Sequence, residues 1–256
     1  MENRIKGQIS VHVSLILFLI DDYTGKRISS SAVQIRVEGA EKPIYKKEGY
    51  YIFTNLQKKE VIVSIQAPEY QTVKRLIDLQ ELEGGEPLVK IRLQPGRCYS
   101  LLNEMTVLTG KTEPFSILRA ASVQSGYFYR LLYDYKKEKE NQIHIFNLAK
   151  ADLEAKSFLI WQRDVGEYEF FDIGKALEKE GEVFEVEALK KEYKKAATKI
   201  FPVFLGQADE EGSFFLAMGN LEGEEAEVIL EVVTGKEKRE MMRKVRVGKE
   251  NILTLF

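Results

Sequence analysis

Apolar and polar residues alternate through the first third of the chain. Val33, Ile35 and Val37 share one side of Ser31–Glu38, and Val61, Val63 and Ile65 repeat the phase in Glu60–Ala67. A period of two places such residues on one face of a strand. Polar turns carrying glycine separate the runs: Asp21-Asp22-Tyr23-Thr24-Gly25, Glu48-Gly49 ahead of the aromatic Tyr50–Thr54, and Gly84-Gly85 ahead of Leu88–Leu93. Gln8–Ile20, a short Pro43-Ile44-Tyr45 and Gln71–Leu79 complete the set. Proline cannot donate to a ladder, so Pro43 marks an edge. Roughly seven strands with a turn signal every 8–12 residues is the rhythm of an antiparallel sandwich.

The rest of the chain predicts strands in a less regular order. Gln94-Pro95-Gly96 is the clearest boundary and delimits a first domain, 1–95. Beyond it, 96–256 is β-rich and divides as one domain or as two, 96–180 and 198–256. Strands are expected at Phe115–Ser122, Tyr127–Tyr135, Gln142–Leu148, Phe158–Arg163 and Tyr168–Ile173. In the last part they are expected at Ile200–Gly206, Ser213–Met218, Glu225–Val233, Met241–Val247 and Ile252–Phe256. Lys136–Glu140 is too densely charged to bury and reads as a hairpin tip. One segment breaks the period of two. Val186, Leu189, Tyr193, Ala196, Ala197 and Ile200 recur at helical spacing, which predicts one amphipathic helix near 186–198. The expected class is all-β, with tandem antiparallel sandwich domains and that single helix.

Composition narrows the function. Hydrophobic residues make up 44% of the chain, enough for a real core. The 38 basic and 40 acidic residues nearly cancel, so nucleic acid is a poor partner. Val13–Ile20 is apolar, but Asp21-Asp22 closes it with no small-residue cleavage site behind, and it falls well short of the ~20 residues of a membrane span. It reads as a strand buried on both faces, which predicts cytoplasmic synthesis without signal peptide or membrane insertion. The lone Cys98 forms no intrachain disulfide and reads as a small buried hydrophobe.

Chemistry is sparse. His12 and His144 each sit inside an expected strand and read as sheet-face histidines. Two histidines and one cysteine do not make a zinc site, and no serine lies in a nucleophile elbow. Asp21-Asp22 reads as a turn cap rather than a calcium site. Asp209-Glu210-Glu211 and the acids of Glu178–Glu187 read as solvated surface rather than a glycosidase pair. No phosphate loop or dinucleotide fingerprint occurs. Catalytic, metal and cofactor residues are therefore assigned to none. The one candidate platform is the aromatic strand. Alternation puts Tyr127, Tyr129, Tyr133 and Tyr135 on one face, where exposed tyrosines anchor a protein partner or stack on sugar rings.

A resemblance adds to this. The strand before Asp21-Asp22-Tyr23-Thr24-Gly25, the strand Ser31-Ala32-Val33-x-Ile35-x-Val37, Gly49-Tyr50-Tyr51-Ile52-Phe53-Thr54-Asn55-Leu56, and the ending Ala67-Pro68-Glu69-Tyr70 carry it. Together they resemble the carboxypeptidase regulatory-like, or transthyretin-like, β-sandwich modules. Lys58-Lys59 replaces the usual Gly or Pro turn before the Val61 strand, and Ser30-Ser31-Ala32 replaces the usual small residue with Gly-Ala. The resemblance implies a transthyretin- or Ig-like first domain and a non-catalytic accessory, adhesive or assembly role. Such modules also occur in phage tails and contractile injection particles. The expected function is a structural, protein-binding component of a multi-protein assembly, with other subunits or further copies of the chain as partners. The alternative is a carbohydrate- or surface-binding module.

Overall fold

The computed structural model describes residues 11–30, 32–82, 86–137, 141–147, 151–178, 182–235 and 237–255. The fold is all-β with several sheets. The chain divides into two units. One comprises Met1–Ile20, Arg27–Ala67 and Thr72–Ile91, the other Asp21–Lys26, Pro68–Gln71 and Arg92–Phe256.

The first unit is built from β1 (Val13–Asp21), β2 (Gln34–Val37), β3 (Ile44–Tyr45), β4 (Tyr50–Thr54), β5 (Glu60–Gln66), β6 (Val73–Asp78) and β7 (Leu88–Leu93). They form two sheets, β3-β4-β1-β7 and β2-β5-β6. Leu15, Leu17, Tyr51 and Phe53 are buried on the first sheet, and Val61, Val63 and Ile65 on the second. Alternate burial on both sheets is the mark of a sandwich core. The short β3 lies at a sheet edge, where Pro43 costs no ladder bond. Strand β1 is less enclosed than its sequence suggests. Ser14, Ile16 and Phe18 are only half-buried, with Phe18 against the Tyr50 ring at 5.2 Å.

The second unit continues with β8 (Thr106–Lys111), β9 (Ile117–Ala121), β10 (Arg130–Leu131), β11 (Gln142–Phe146), β12 (Ser157–Gln162) and β13 (Glu167–Ala176). Then come β14 (Val183–Val186), β15 (Thr198–Pro202), β16 (Phe204–Gln207), β17 (Ser213–Met218), β18 (Glu225–Val233), β19 (Lys238–Arg246) and β20 (Glu250–Thr254). Two architectures share these strands. Sheets β16-β9-β18-β19 and β17-β8-β20 enclose a core that includes Leu108, Leu118, Leu216, Val228 and Leu230. β20 runs parallel to β8, and a Cβ on Gly110 would lie 2.0 Å from the Leu253 carbonyl oxygen, so that contact admits only glycine.

The other strands form the six-stranded antiparallel sheet β10-β11-β14-β13-β12-β15. Its two ends meet. Tyr129 N–H donates to Ile200 O at 2.7 Å, and Ile200 N–H returns a bond to Tyr129 O at 2.9 Å. The sheet thereby closes into a small barrel, filled by Leu131, Ile143, Phe158, Phe171, Phe184 and Tyr193 among others. Leu159, Phe170 and Phe201 on its outside pack on Ala121 and Ile229 of the sandwich. Arg119 crosses that junction, reaching Asp172 at 2.5 Å and the fully buried Glu231 at 3.3 Å.

Several expectations are corrected. No helix forms over 186–198. Residues 183–186 are strand, Lys195–Ala197 is a single 3₁₀ turn, and β15 begins at Thr198. Leu189 and Tyr193 are buried as the spacing implies, but in an extended segment whose N–H groups donate elsewhere. Leu189 N–H goes to Tyr135 Oη, Lys190 N–H to Glu169, Tyr193 N–H to Tyr135 O, and Lys194 N–H to Gln162 Oε1. Tertiary partners overrule the helix propensity of Lys, Glu and Ala. The strand expected over Tyr127–Tyr135 shrinks to Arg130–Leu131 plus single bridges at Tyr129 and Tyr135. Cys98 is exposed, not buried. His12 precedes β1 instead of lying within it. β8 and β14 were not anticipated. The expectations for Gln8, Ser31, Gly84-Gly85, Glu138–Glu140, Leu148, Lys179–Gly181 and Phe256 lie outside the described residues.

Candidate functional site

Titratable groups gather at two places in the second unit, and the two differ in kind. The first lies at the turn 21–26. Asp21 Oδ1 accepts the N–H groups of Tyr23 (2.9 Å) and Thr24 (3.0 Å), the turn cap its sequence suggests. Its Oδ2 accepts the hydroxyls of Tyr99 (2.7 Å) and Tyr70 (3.2 Å). Burial, with the Asp21 carboxylate added, drives both phenols well above the usual tyrosine range. Asp22, also buried, stands 3.5 Å from Arg92 Nη1 and 3.6 Å from Lys156 Nζ. Arg92 Nε donates to Glu154 O at 2.8 Å, and Lys156 Nζ to Asp22 O at 3.0 Å. Burial pushes the Lys156 ammonium down, against the pull of Asp22. Asp22 Oδ1 makes no hydrogen bond and is held by charge alone, while the two cations donate to backbone carbonyls, so the cluster positions a loop.

The second place is the barrel seam. After the Tyr129–Ile200 bridge the next backbone contact between the two edges is the Tyr135–Tyr193 bridge. Between these points no backbone pairing joins 130–134 to 194–199, and the wall is split. One link crosses it, from Lys195 N–H to Asp134 Oδ1 at 2.8 Å. A cavity of about 320 Å³ occupies the split and is lined by Arg130, Leu131, Arg163 and residues 195–199. A second, more open one of about 490 Å³ shares Lys195 with it and extends over Leu132, Tyr133, Asp134 and Lys136. Lys199 Nζ lies 4.0 Å from the centre of the Phe128 ring, and the Arg130 guanidinium 5.6 Å from it. An aromatic face under two cations holds them in place without neutralising them.

The four tyrosines singled out by the sequence divide between wall and surface. Tyr129 and Tyr135 are 8% and 4% exposed and belong to the barrel core, whereas Tyr127 and Tyr133 are 43% and 61% exposed. Strict alternation would have kept all four together. The single-bridge pairing at 129 and 135 breaks it, so Tyr133 turns outward onto His144, ring to ring at 5.3 Å. Tyr127 Oη meets Tyr129 Oη at 2.6 Å, and burial, with that bond, drives the Tyr129 phenol well above its usual range. The cations of the facing wall, Arg163, Lys195 and Lys199, were not singled out by the sequence, because they meet Arg130 only once the barrel closes. Among the described residues no group of three or more His, Cys, Asp or Glu side chains is placed to hold a metal ion, and no helix is long and apolar enough to cross a membrane.

Compared with known proteins, the chain matches no family model, and no curated protein and no solved structure is similar to it at a significant level.

Proposed function

We propose that the protein is a non-catalytic, protein-binding component of a larger assembly and that the split seam is a face it presents to a partner. The observation that carries this is the contrast in the second unit's charges. The buried ones are consumed in internal pairs, while Arg130, Arg163, Lys195 and Lys199 line an open groove beside the exposed Tyr133. Exposed Tyr and Arg are the side chains most enriched where one protein grips another. The resemblance of residues 8–94 to transthyretin-like modules supports the same reading, and a tail-like particle is one candidate setting. The carbohydrate alternative loses its main support, since the burial of Tyr129 and Tyr135 leaves no row of rings for a sugar chain.

The test is the native mass, by light scattering on protein purified gently from its own host, with identification of co-purifying chains. A defined large particle is the expected result. A monomer at the chain mass of 29.4 kDa, with nothing bound, overturns the proposal.

A further inference from the structure

We propose that the seam groove takes a carboxylate-rich extended segment of a partner protein. This rests on the reading of the chain as a protein-binding component and supplies the chemistry of the partner.

Charge complementarity carries the argument. Arg130, Arg163, Lys195 and Lys199 line one cavity, and Lys136 the one beside it. Among the described residues no carboxylate lies within 4.0 Å of any of these five cations. The one acid lining the groove among the described residues is Asp134, which already accepts the Lys195 backbone N–H. Elsewhere in the same unit, several exposed cations are matched at short range. Lys191 meets Glu167 at 2.7 Å, and along the β18–β19 hairpin Lys244 pairs with Glu225 and Lys238 with Glu231. The seam therefore holds a local excess of positive charge on a chain whose net charge is −2.

A second observation points to a ligand. Thr198 lines the same cavity, is 3% exposed, and its Oγ1 is buried without a hydrogen-bond partner. Buried hydroxyls are nearly always satisfied, and an orphan one is a donor waiting for an acceptor. A carboxylate entering among the arginines and lysines supplies that acceptor once it displaces the side chains that cover the hydroxyl. Arginine grips a carboxylate with a planar fork and adds geometry to charge. The two cavities, joined at Lys195, form a track suited to an extended chain with acids at intervals, and Tyr133 offers a ring beside it. A nucleic acid fits less well, since its phosphates run on beyond the groove and the 38 basic and 40 acidic residues of the chain nearly cancel.

The test uses the full chain and a fluorescein-labelled deca-glutamate peptide, read by fluorescence anisotropy, with deca-lysine and a single-stranded oligodeoxythymidine as comparison probes. Saturable binding of deca-glutamate is expected, weaker at about 200 mM than at about 50 mM salt. The double variant Arg163→Glu/Lys195→Glu should lose at least about tenfold in affinity, since the introduced acids repel the ligand. Thr198→Val, which keeps the shape, should lose several-fold. No saturable binding, undiminished binding by the double variant, or tighter binding of the oligonucleotide each overturns the inference. The native mass separates this from the broader reading. A wild-type chain that enters a defined particle yet gives any of those three results leaves the assembly role standing without the acidic segment. A wild-type monomer with nothing bound removes both.

Discussion

The turn 21–26 and the barrel seam lie in one unit and handle charge in opposite ways. At the turn, Asp22, Arg92 and Lys156 are buried and face one another. At the seam, Arg130, Arg163 and Lys195 are exposed and face solvent. Buried ions are held there by geometry, and removing one leaves its partner stranded in a poor solvent for charge. Exposed ions cost the fold little, because water already serves them. The first set is therefore a matter of stability, and the second is the set to which we assign recognition, although both consist of the same side-chain types.

The comparison is broken most severely at the turn. Arg92→Met leaves Asp22 buried beside a single cation and should destabilise by about 3–5 kcal/mol, measured as a shift of the urea midpoint at constant slope. A loss below about 1 kcal/mol would mean that water reaches the site. Tyr99→Phe removes the 2.7 Å bond to Asp21 and should cost about 1.5–3 kcal/mol.

Alkaline pH probes the turn and the barrel core together, without mutation. Tyr70, Tyr99, Tyr129 and Tyr193 all hold their protons above the usual tyrosine range, chiefly through burial. The unfolded chain releases those protons from about pH 10 upward. The unfolded state then binds fewer protons than the folded one, so stability falls as pH rises through that range. Lys156, with its pKa lowered, acts in the opposite direction at lower pH, because the unfolded chain holds that proton longer. Tyr23, Tyr51 and Tyr168 are raised too, and so are Lys238 and Lys244, so all of these against one lowered ammonium should leave a net loss between about pH 9 and about pH 11. Urea midpoints across that range check the sign, and Tyr70→Phe with Tyr99→Phe should flatten the slope. At the seam the smallest effect is expected. Arg163→Glu/Lys195→Glu should move the midpoint by no more than about 0.5 kcal/mol. A larger loss there would show that the seam cations serve the fold.

Legibility in the sequence follows the range of the interactions. Ser213–Met218 and Glu225–Val233 are found at the boundaries their patterns set, because each strand alternates or runs apolar between glycine or polar turns. Val61, Val63 and Ile65 are buried as their phase requires. Thr106–Lys111 carries no such signal. It holds two threonines and Gly110, and its parallel partner, β20, is distant in sequence. The spacing of Leu189 and Tyr193 matches a helix by coincidence, since an extended segment crossing the barrel mouth also buries a residue every three or four positions. The aromatic stretch at 127–135 reads as one face in the sequence and is divided in the structure, with Tyr129 and Tyr135 buried and Tyr127 and Tyr133 exposed. Which tyrosines face inward depends on Ile200 and Tyr193, and those partners come from the opposite edge of the barrel.

The way the barrel joins the sandwich has a consequence for how such a chain can change. The polypeptide leaves the sandwich at the end of β9 and returns at β16, and these two strands are direct neighbours, with Phe204 opposite Ala120. For the sandwich, six strands and their seam stand where a tight hairpin loop would suffice. Replacing residues 122–203 by a few turn residues would keep the order of the strands that remain, but it would also take Lys156 from the Asp22 cluster and uncover Ala121 and Ile229. The barrel is thus an insertion between two paired strands, spliced in by topology yet fastened to its support by apolar contacts and ion pairs.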